Sequence, residues 1–228
     1  MGHKKTALGP RLGAASSLVA PGLPVADVGT DHALLLVDLL RSGRVPRGVA
    51  VDIGAAPLAG AQARLQAEGL LDVVDIRLGN GLAPLTPGEV GSVVIAGMGG
   101  RRIVDIVSAH PAVVSRLTRL VVQPNTEVAR VRAGLRDAGL QLVDEQLVRD
   151  MGRWYAVLAW SQGKADGPWS AADLLWGPLL RARRDPALVE FLRGEQRRLS
   201  RAVQQAGTAA PESLVEELRA IEDELSGP

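Results

Sequence analysis

The chain of 228 residues contains no cysteine. This absence excludes disulfide bonds, thiolate metal ligands and a thiol nucleophile. Only three histidines occur, one of them His3, so a histidine-rich metal cluster is not expected. Aromatic residues amount to 3%, with four Trp, one Phe and one Tyr. Stacking on aromatic side chains therefore cannot be the main means of binding a nucleic acid.

Charge and hydropathy exclude further classes of protein. The formal net charge is +1, so any surface that attracts nucleic acid must be local. No segment approaches the roughly 18 apolar residues of a transmembrane helix. The basic N-terminus is not followed by the apolar segment of a signal peptide. We therefore expect a cytoplasmic protein with no membrane partner and no bound metal.

Short β-branched segments alternate with longer helical segments through about residue 138. The pattern predicts strands at 23–29, 47–53, 72–79, 91–97 and 118–125, and helices at 30–43, 56–69, 100–110 and 126–139. Strands joined by single helices pair in parallel through right-handed crossovers. We expect an α/β sheet covered by helices on both faces.

The pattern changes after residue 139. Residues 140–160 predict two strands around a turn at Met151 and Gly152, with no helix between them. Parallel strands closed by an antiparallel hairpin are typical of the Rossmann-like class I methyltransferase sheet rather than of a plain dinucleotide fold. A Gly/Ser linker follows at 161–168, which predicts a first domain over 1–162 and a helical domain over 163–228.

The second domain is expected to be an antiparallel helical hairpin. Leu214, Leu218, Ile221 and Leu225 have the 4-3-4 spacing of a heptad seam. Between Arg181 and Arg201 there are seven arginines against three acids, whereas the last helix is acidic. These charges either complement each other within the hairpin or form a basic surface for RNA, and both interpretations remain open.

Polar and glycine residues follow the first three predicted strands. Asp27 and Gly29 end the first strand, and Asp52 ends the second. Asn80 follows the third strand between two glycines. A carboxylate such as Asp52 can accept both ribose hydroxyls of an adenosine, and an amide can bind an adenine edge. Helix capping by Asp52 and an ordinary Asn-Gly turn are the alternatives.

The fourth and fifth strands end in "IAGMGG" (95–100) and "QPN" (123–125). A strand-to-helix turn needs one glycine, so three indicate that a ligand approaches the backbone closely. Asn125 or Thr126 is expected to cap the following helix, with a site role for Asn125 in addition.

The first loop indicates which nucleotide would bind. A dinucleotide enzyme needs Gly-x-Gly-x-x-Gly to seat a pyrophosphate, whereas this loop is "GTDHAL" (29–34). A carboxylate in the loop where a dinucleotide enzyme would bind the pyrophosphate argues against NAD. S-adenosylmethionine carries a sulfonium and an amino group and no phosphate, so the methyl donor is favoured.

With these residues, the chain resembles the bacterial tRNA (adenine-22-N1)-methyltransferase family. The resemblance lies in "RLGAASSLV", "VADVGTDHALL", "AVDIGAAPLAGAQ", "IRLGNGLAPL", "VVIAGMGGRRIVDIV" and "LVVQPN", and the helical tail also fits. The family more usually has Ser at Thr30, an aromatic residue at Leu34 and often Glu at Asp52.

The resemblance implies transfer of a methyl group from S-adenosylmethionine to N1 of an adenine at position 22, in the D-arm of tRNA. By matching position it implies a cofactor site formed by Asp27, Gly29, Thr30, Asp52, Ile53, Gly79, Asn80, Gly81, Ala96 and Gly97. It places Asp31 and His32 at the reacting centre as catalytic residues. It assigns substrate binding to Met98, Gly99, Gly100, Arg101, Arg102, Gln123 and Asn125.

Adenine N1 is a nucleophile that needs no strong base, so holding the reactants in line is the main contribution. The product ring is cationic, and a carboxylate such as Asp31 could stabilise it. The alternative for Asp31 is a helix cap, and for His32 a helix-start residue bonded to backbone.

RNA contacts are expected from local basic residues, namely Lys4, Lys5, Arg11, Arg101, Arg102 and the tail arginines, although each could be solvated surface. A methyltransferase for a small molecule or protein, and a non-catalytic binding module, are the other functions considered. Either a monomer or a weak dimer is compatible with the sequence.

Overall fold

The computed structural model describes residues 8–163 and 167–227. The strands in this part of the chain are β1 (Val25–Val28), β2 (Gly48–Asp52), β3 (Val74–Leu78), β4 (Ser92–Gly99), β5 (Arg119–Thr126), β6 (Leu140–Asp150) and β7 (Arg153–Gln162). The helices are α1 (Pro10–Leu18), α2 (Leu34–Arg41), α3 (Ala55–Ala67), α4 (Gly100–Ser108), α5 (Pro111–Val114), α6 (Val128–Asp137), α7 (Ala171–Trp176), α8 (Pro178–Ala182), α9 (Pro186–Ala206) and α10 (Glu212–Ser226). His3, Lys4 and Lys5 lie outside the described residues.

The strands form one sheet in the order β3-β2-β1-β4-β5-β7-β6. β1 pairs in parallel with both β2 and β4, so that Asp27 lies beside Ala50 and Val94. β7 is antiparallel to both of its neighbours. The predicted parallel sheet closed by an antiparallel hairpin is confirmed. The strand order reverses between β1 and β4, and open α/β sheets bind ligands at such a switch point.

The core explains why these segments are strands. Every residue of β1 is buried, and Val93, Val94 and Ile95 of β4 have no exposed surface. Central parallel strands lie between two helical layers and are therefore apolar on both faces. Polar residues occur instead at the strand ends. Because these strands are parallel, their carboxyl ends lie at one edge of the sheet.

Two helices begin later than predicted. α2 starts at Leu34 instead of residue 30, because His32 (φ 56°) and Ala33 (φ 51°) are left-handed and no side chain caps the helix. Neither Asp31 nor His32 therefore starts or caps it. β5 continues to Thr126, and α6 begins after Glu127, which is also left-handed. The prediction that Asn125 or Thr126 caps α6 is therefore wrong.

A buried ion pair fixes the segment that follows the sheet. Arg132 of α6 and Glu145 of β6 are 1% and 0% exposed, with Nη2 and Oε2 2.8 Å apart. Arg132 also donates to the carbonyls of Leu174 and Leu175 at 2.8 and 3.0 Å. This anchor holds α7 to the sheet, so the first compact unit is Met1–Gly177 and continues beyond the boundary predicted at residue 162.

The second compact unit is Pro178–Pro228. α9 and α10 pack together around Leu188, Leu192, Leu199 and Ile221, all of them buried. Arg181 and Glu224 form an ion pair with 2.8 Å between Nη2 and Oε2. This pair provides the charge complementarity that the sequence offered as one interpretation, while other tail arginines remain at the surface.

In the described part of the chain, no helix is long and apolar enough to cross a membrane.

Candidate active site

The carboxyl ends of β1, β2 and β3 border a cleft of about 190 Å³ that α4 closes on one side. Its lining residues are Val28, Gly29, Asp52, Ile53, Gly79, Gly81, Met98, Arg102 and Ile106. Most of them follow strand ends, as predicted. The side chain of Ile53 is 61% exposed, which offers an apolar wall to a flat ring.

Two α4 residues also line the cleft. Arg102 lines it together with Asp52, and its role in substrate binding stays a prediction. Ile106 was not selected from the sequence. It lies four residues after Arg102 and hence on the same helix face, which is the signal that could have found it.

Gly29 allows the first loop to bend over the cleft. Its φ of 79° is left-handed, and a Cβ at this position would lie 2.5 Å from Cε of Met98. The backbone N–H groups of Gly29 and Thr30 both donate to the Val51 carbonyl, at 2.8 and 3.1 Å. The loop is thus held against β2, and a larger residue at Gly29 would be strained by the left-handed φ and would displace the Met98 methyl group.

Asp27 is a buried carboxyl beneath this loop, with 7% of its surface exposed. Its Oδ2 accepts a hydrogen bond of 2.8 Å from the Thr30 hydroxyl. Burial raises the pKa of Asp27 to about 6; the Thr30 hydrogen bond opposes this rise, and the charge of Asp52 adds to it. A cation bound nearby would hold the carboxyl in its charged form.

Asp52 contacts both the backbone and the cleft. Its Oδ1 accepts from the Gly54 N–H at 2.8 Å, and the residue lines the cleft. This contact closes a local turn before α3, whose N-cap is Gly54 and which has no side-chain cap, so the helix capping considered as an alternative for Asp52 is wrong. Asn80 is exposed and is not among the cleft-lining residues, although both of its glycine neighbours are.

The ends of β4 and β5 are joined by a hydrogen-bond network around Gln123, which is fully buried. Its Oε1 accepts from Nη1 of Arg11 at 2.5 Å and from the Gly97 N–H at 3.0 Å. Its Nε2 donates to Oδ1 of Asn125 at 3.2 Å, and Nδ2 of Asn125 donates to the Gly97 carbonyl at 2.8 Å. Gln123 thus shapes the loop from within and, contrary to the sequence prediction, does not face an open substrate site.

Arg11 belongs to this network. Besides its bond to Gln123, its guanidinium lies 5.7 Å from the ring centroid of Tyr155. Arg11 thus has a structural role in this loop, and its contact with RNA stays a prediction.

Gly100 also supports the loop. A Cβ there would lie 2.7 and 2.8 Å from the carbonyl oxygens of Glu127 and Thr126, so Gly100 lets α4 start against the end of β5. It is buried, whereas Met98 and Gly99 are partly exposed.

Asp31 and His32 form an exposed pair, with 3.2 Å between Oδ1 and Nε2. They follow the Gly29 loop but do not line the cleft. The imidazole rests on α3 where that helix has a glycine, because a Cβ at Gly60 would lie 3.1 Å from Nδ1 of His32. Sequence reasoning missed Gly60, although a glycine inside a helical pattern is a signal of close packing.

Arg101 is exposed at the start of α4, and its backbone N–H donates to Oε2 of Glu127 at 3.3 Å. It adjoins the loop that ends β4. Among the described residues, no cluster of His, Asp or Glu could hold a metal ion.

Comparisons with known proteins agree in sequence and in fold. A family model described as a methyltransferase domain matches residues 8–158. A tRNA (adenine(22)-N(1))-methyltransferase of Bacillus subtilis (strain 168) is 27% identical over 223 residues, 96% of this chain and 94% of that protein. The crystal structure of a putative tRNA (m1A22) methyltransferase of Streptococcus pneumoniae has a TM-score of 0.87 and 31% identity, over 96% of this chain and 100% of that chain. Its complex with S-adenosyl-L-methionine has a TM-score of 0.85.

These matches cover nearly the whole of both chains and include the strand-end loops that line the cleft. The chain belongs to the methyltransferase domain family and, within it, to the bacterial tRNA (adenine-22-N1)-methyltransferases.

Proposed function

We propose that this protein transfers the methyl group of S-adenosylmethionine to N1 of adenine 22 in the D-arm of bacterial tRNA. The observation that carries the proposal is the full-length match, at 31% identity, to a putative tRNA (m1A22) methyltransferase. The cleft at the β1–β4 switch point has the chemistry this donor requires. Its place of action would be the cytoplasm, where tRNA is found.

The residues of the cleft fit the cofactor. Gly29 brings backbone without a side chain to the wall of the cleft. Beneath its loop, Asp27, which does not itself line the cleft, would offer a buried carboxyl to the amino group of the donor. Asp52 can accept the ribose hydroxyls, and Ile53 can cover one face of the adenine. S-adenosylmethionine, when bound, supplies an electrophilic methyl group on its sulfonium.

The remaining work of the protein is to orient the tRNA adenine. N1 of a neutral adenine has the lone pair that forms the new bond, so a base is not needed at this step. The ring becomes cationic, and the exposed Asp31 carboxylate beside His32 can stabilise the charge and accept a hydrogen bond from the exocyclic amine. Because N1 lies on the Watson–Crick edge, the adenine must leave its pair.

RNA contacts would come mainly from positive side chains next to the site. Arg101 is exposed beside the loop that ends β4, so its guanidinium can reach a phosphate near the target. Affinity from such contacts weakens as salt is added.

The test is methylation of an unmodified bacterial tRNA transcript, with mass-spectrometric mapping of the product. We expect 1-methyladenosine at position 22 and no methylation of a matched transcript carrying guanine there. Methyl transfer to another nucleotide, or none to tRNA while the donor binds, would disprove the assignment of substrate.

A further inference from the structure

The β6–β7 hairpin ends at the same edge of the sheet as the candidate active site. β7 is antiparallel to both β5 and β6, so β6 runs in the direction of β5. Pairing of β5 with β7 stops at Val122 and Leu158, whereas β6 and β7 remain paired to Asp150 and Arg153. The five residues beyond Leu158 span about 17 Å. The hairpin therefore continues past the part of β5 that pairs with β7 and runs beside the end of β5, which stays paired with β4 to Thr126, on the side away from the cofactor cleft.

Two contacts link the hairpin to the start of the chain's first helix and, through Arg11, to the loop that ends β4. Tyr155 of β7 lies beneath Arg11, which binds Gln123. Near the tip, Oδ2 of Asp150 lies 3.1 Å from the position that a Cβ on Gly9 would occupy, just before α1. The tip is thus held in a defined place relative to the ends of β4 and β5.

The residue at the tip is unusual for its position. Met151 and Gly152 have φ of 47° and 81°, so both turn residues are left-handed. Such turns favour Asn, Asp or Gly at the first position, because a larger side chain is strained there. Met151 is nevertheless methionine, and it is 97% exposed. Folding alone explains neither the strained residue nor the exposed thioether.

We propose that the hairpin tip contacts the tRNA strand beside the target adenine, an inference that rests on the proposed function. Met151 packs as an apolar wedge against the base stack that the adenine leaves, a use that other proteins make of methionine at kinked base steps. The exposed Arg153 contacts a neighbouring phosphate.

The test compares two transcripts, one with the target adenine paired and one with the opposite nucleotide changed so that it is unpaired. For Met151→Ala we expect kcat/KM to fall about tenfold on the paired transcript, a loss at the lower end of those found when an aromatic side chain that stacks on a base is removed. We expect little change on the unpaired transcript and an unchanged Kd for S-adenosylmethionine. Arg153→Ala should raise KM on both transcripts and reduce the salt dependence of binding.

Met151→Asn separates folding from function. Asn suits the left-handed turn, so this variant should be at least as stable as the parent and still lose activity on the paired transcript. Full activity of Met151→Asn on that transcript, or equal losses of activity on both transcripts, would contradict the proposed contact of Met151 with the base stack.

Two matched controls lie elsewhere on the first unit. Leu175→Ala removes an apolar side chain, 57% exposed, from α7, and Arg116→Ala removes an exposed arginine that precedes the start of β5, at the opposite edge of the sheet. Both should keep parental activity on both transcripts. Methylation of either transcript by the parent protein is the separate test of the proposed function.

Discussion

The buried carboxyl of Asp27 should destabilise the protein at neutral pH, and Asp27→Asn should relieve this effect. Asn has nearly the same shape, carries no charge and can still accept the hydrogen bond that the Thr30 hydroxyl donates at 2.8 Å. The substitution therefore removes the charge and leaves the packing of β1 in place.

The magnitude follows from the pKa of Asp27, which burial raises from 3.8 to about 6. A difference of about two pKa units corresponds to about 3 kcal/mol. The folded protein keeps a proton that the unfolded chain releases, so the free energy of unfolding falls as pH rises between these two pKa values. The full cost is present above the folded pKa, and none remains below 3.8.

Urea denaturation of both proteins across this pH range measures the effect. Asp27→Asn should be more stable than the parent by up to about 3 kcal/mol near neutral pH, with the difference vanishing in acid. The variant should also bind S-adenosylmethionine more weakly, which calorimetry would detect. A variant no more stable than the parent at neutral pH would show that the burial of Asp27 carries no such cost.

The other predictions concern the loops that are expected to receive the target adenine. Asp31→Ala should lower kcat strongly with donor affinity kept, and unchanged turnover would contradict its catalytic assignment. Gly60→Ala should raise the free energy of unfolding by about 0.5–1 kcal/mol yet lower kcat by displacing the His32 imidazole; a more stable variant with parental turnover would show that this packing is not needed. Arg11→Met and Gln123→Met should each lower kcat. In a double-mutant cycle, the factor by which the double variant loses kcat should be smaller than the product of the two single factors. Multiplicative effects would mean that the two residues act separately.

The sheet and most of the cleft could be predicted because apolar strands and their polar ends are local patterns. Asp27, Gly29 and Asp52 stand out since core packing does not require a carboxylate or glycine at a strand end. The starts of α2 and α6 could not be predicted, because His32 and Glu127 take left-handed conformations that non-glycine residues adopt rarely.

Long-range partners account for the remaining differences. Gln123 looked available for substrate until its partner Arg11, 112 residues earlier, was placed beside it. The first unit continues to Gly177 because Arg132 holds the α7 carbonyls. Neither contact leaves a trace in the neighbouring sequence, so only the folded chain reveals them.

The Gln123 side chain has a consequence for how the site is assembled. Its single oxygen atom receives hydrogen bonds from α1 and from the end of β4, segments that are far apart in the sequence. The loop at the end of β4 is therefore held by a helix that does not line the cofactor cleft. A change in α1 can alter the loop expected to receive the base while every residue that lines the cleft keeps its identity.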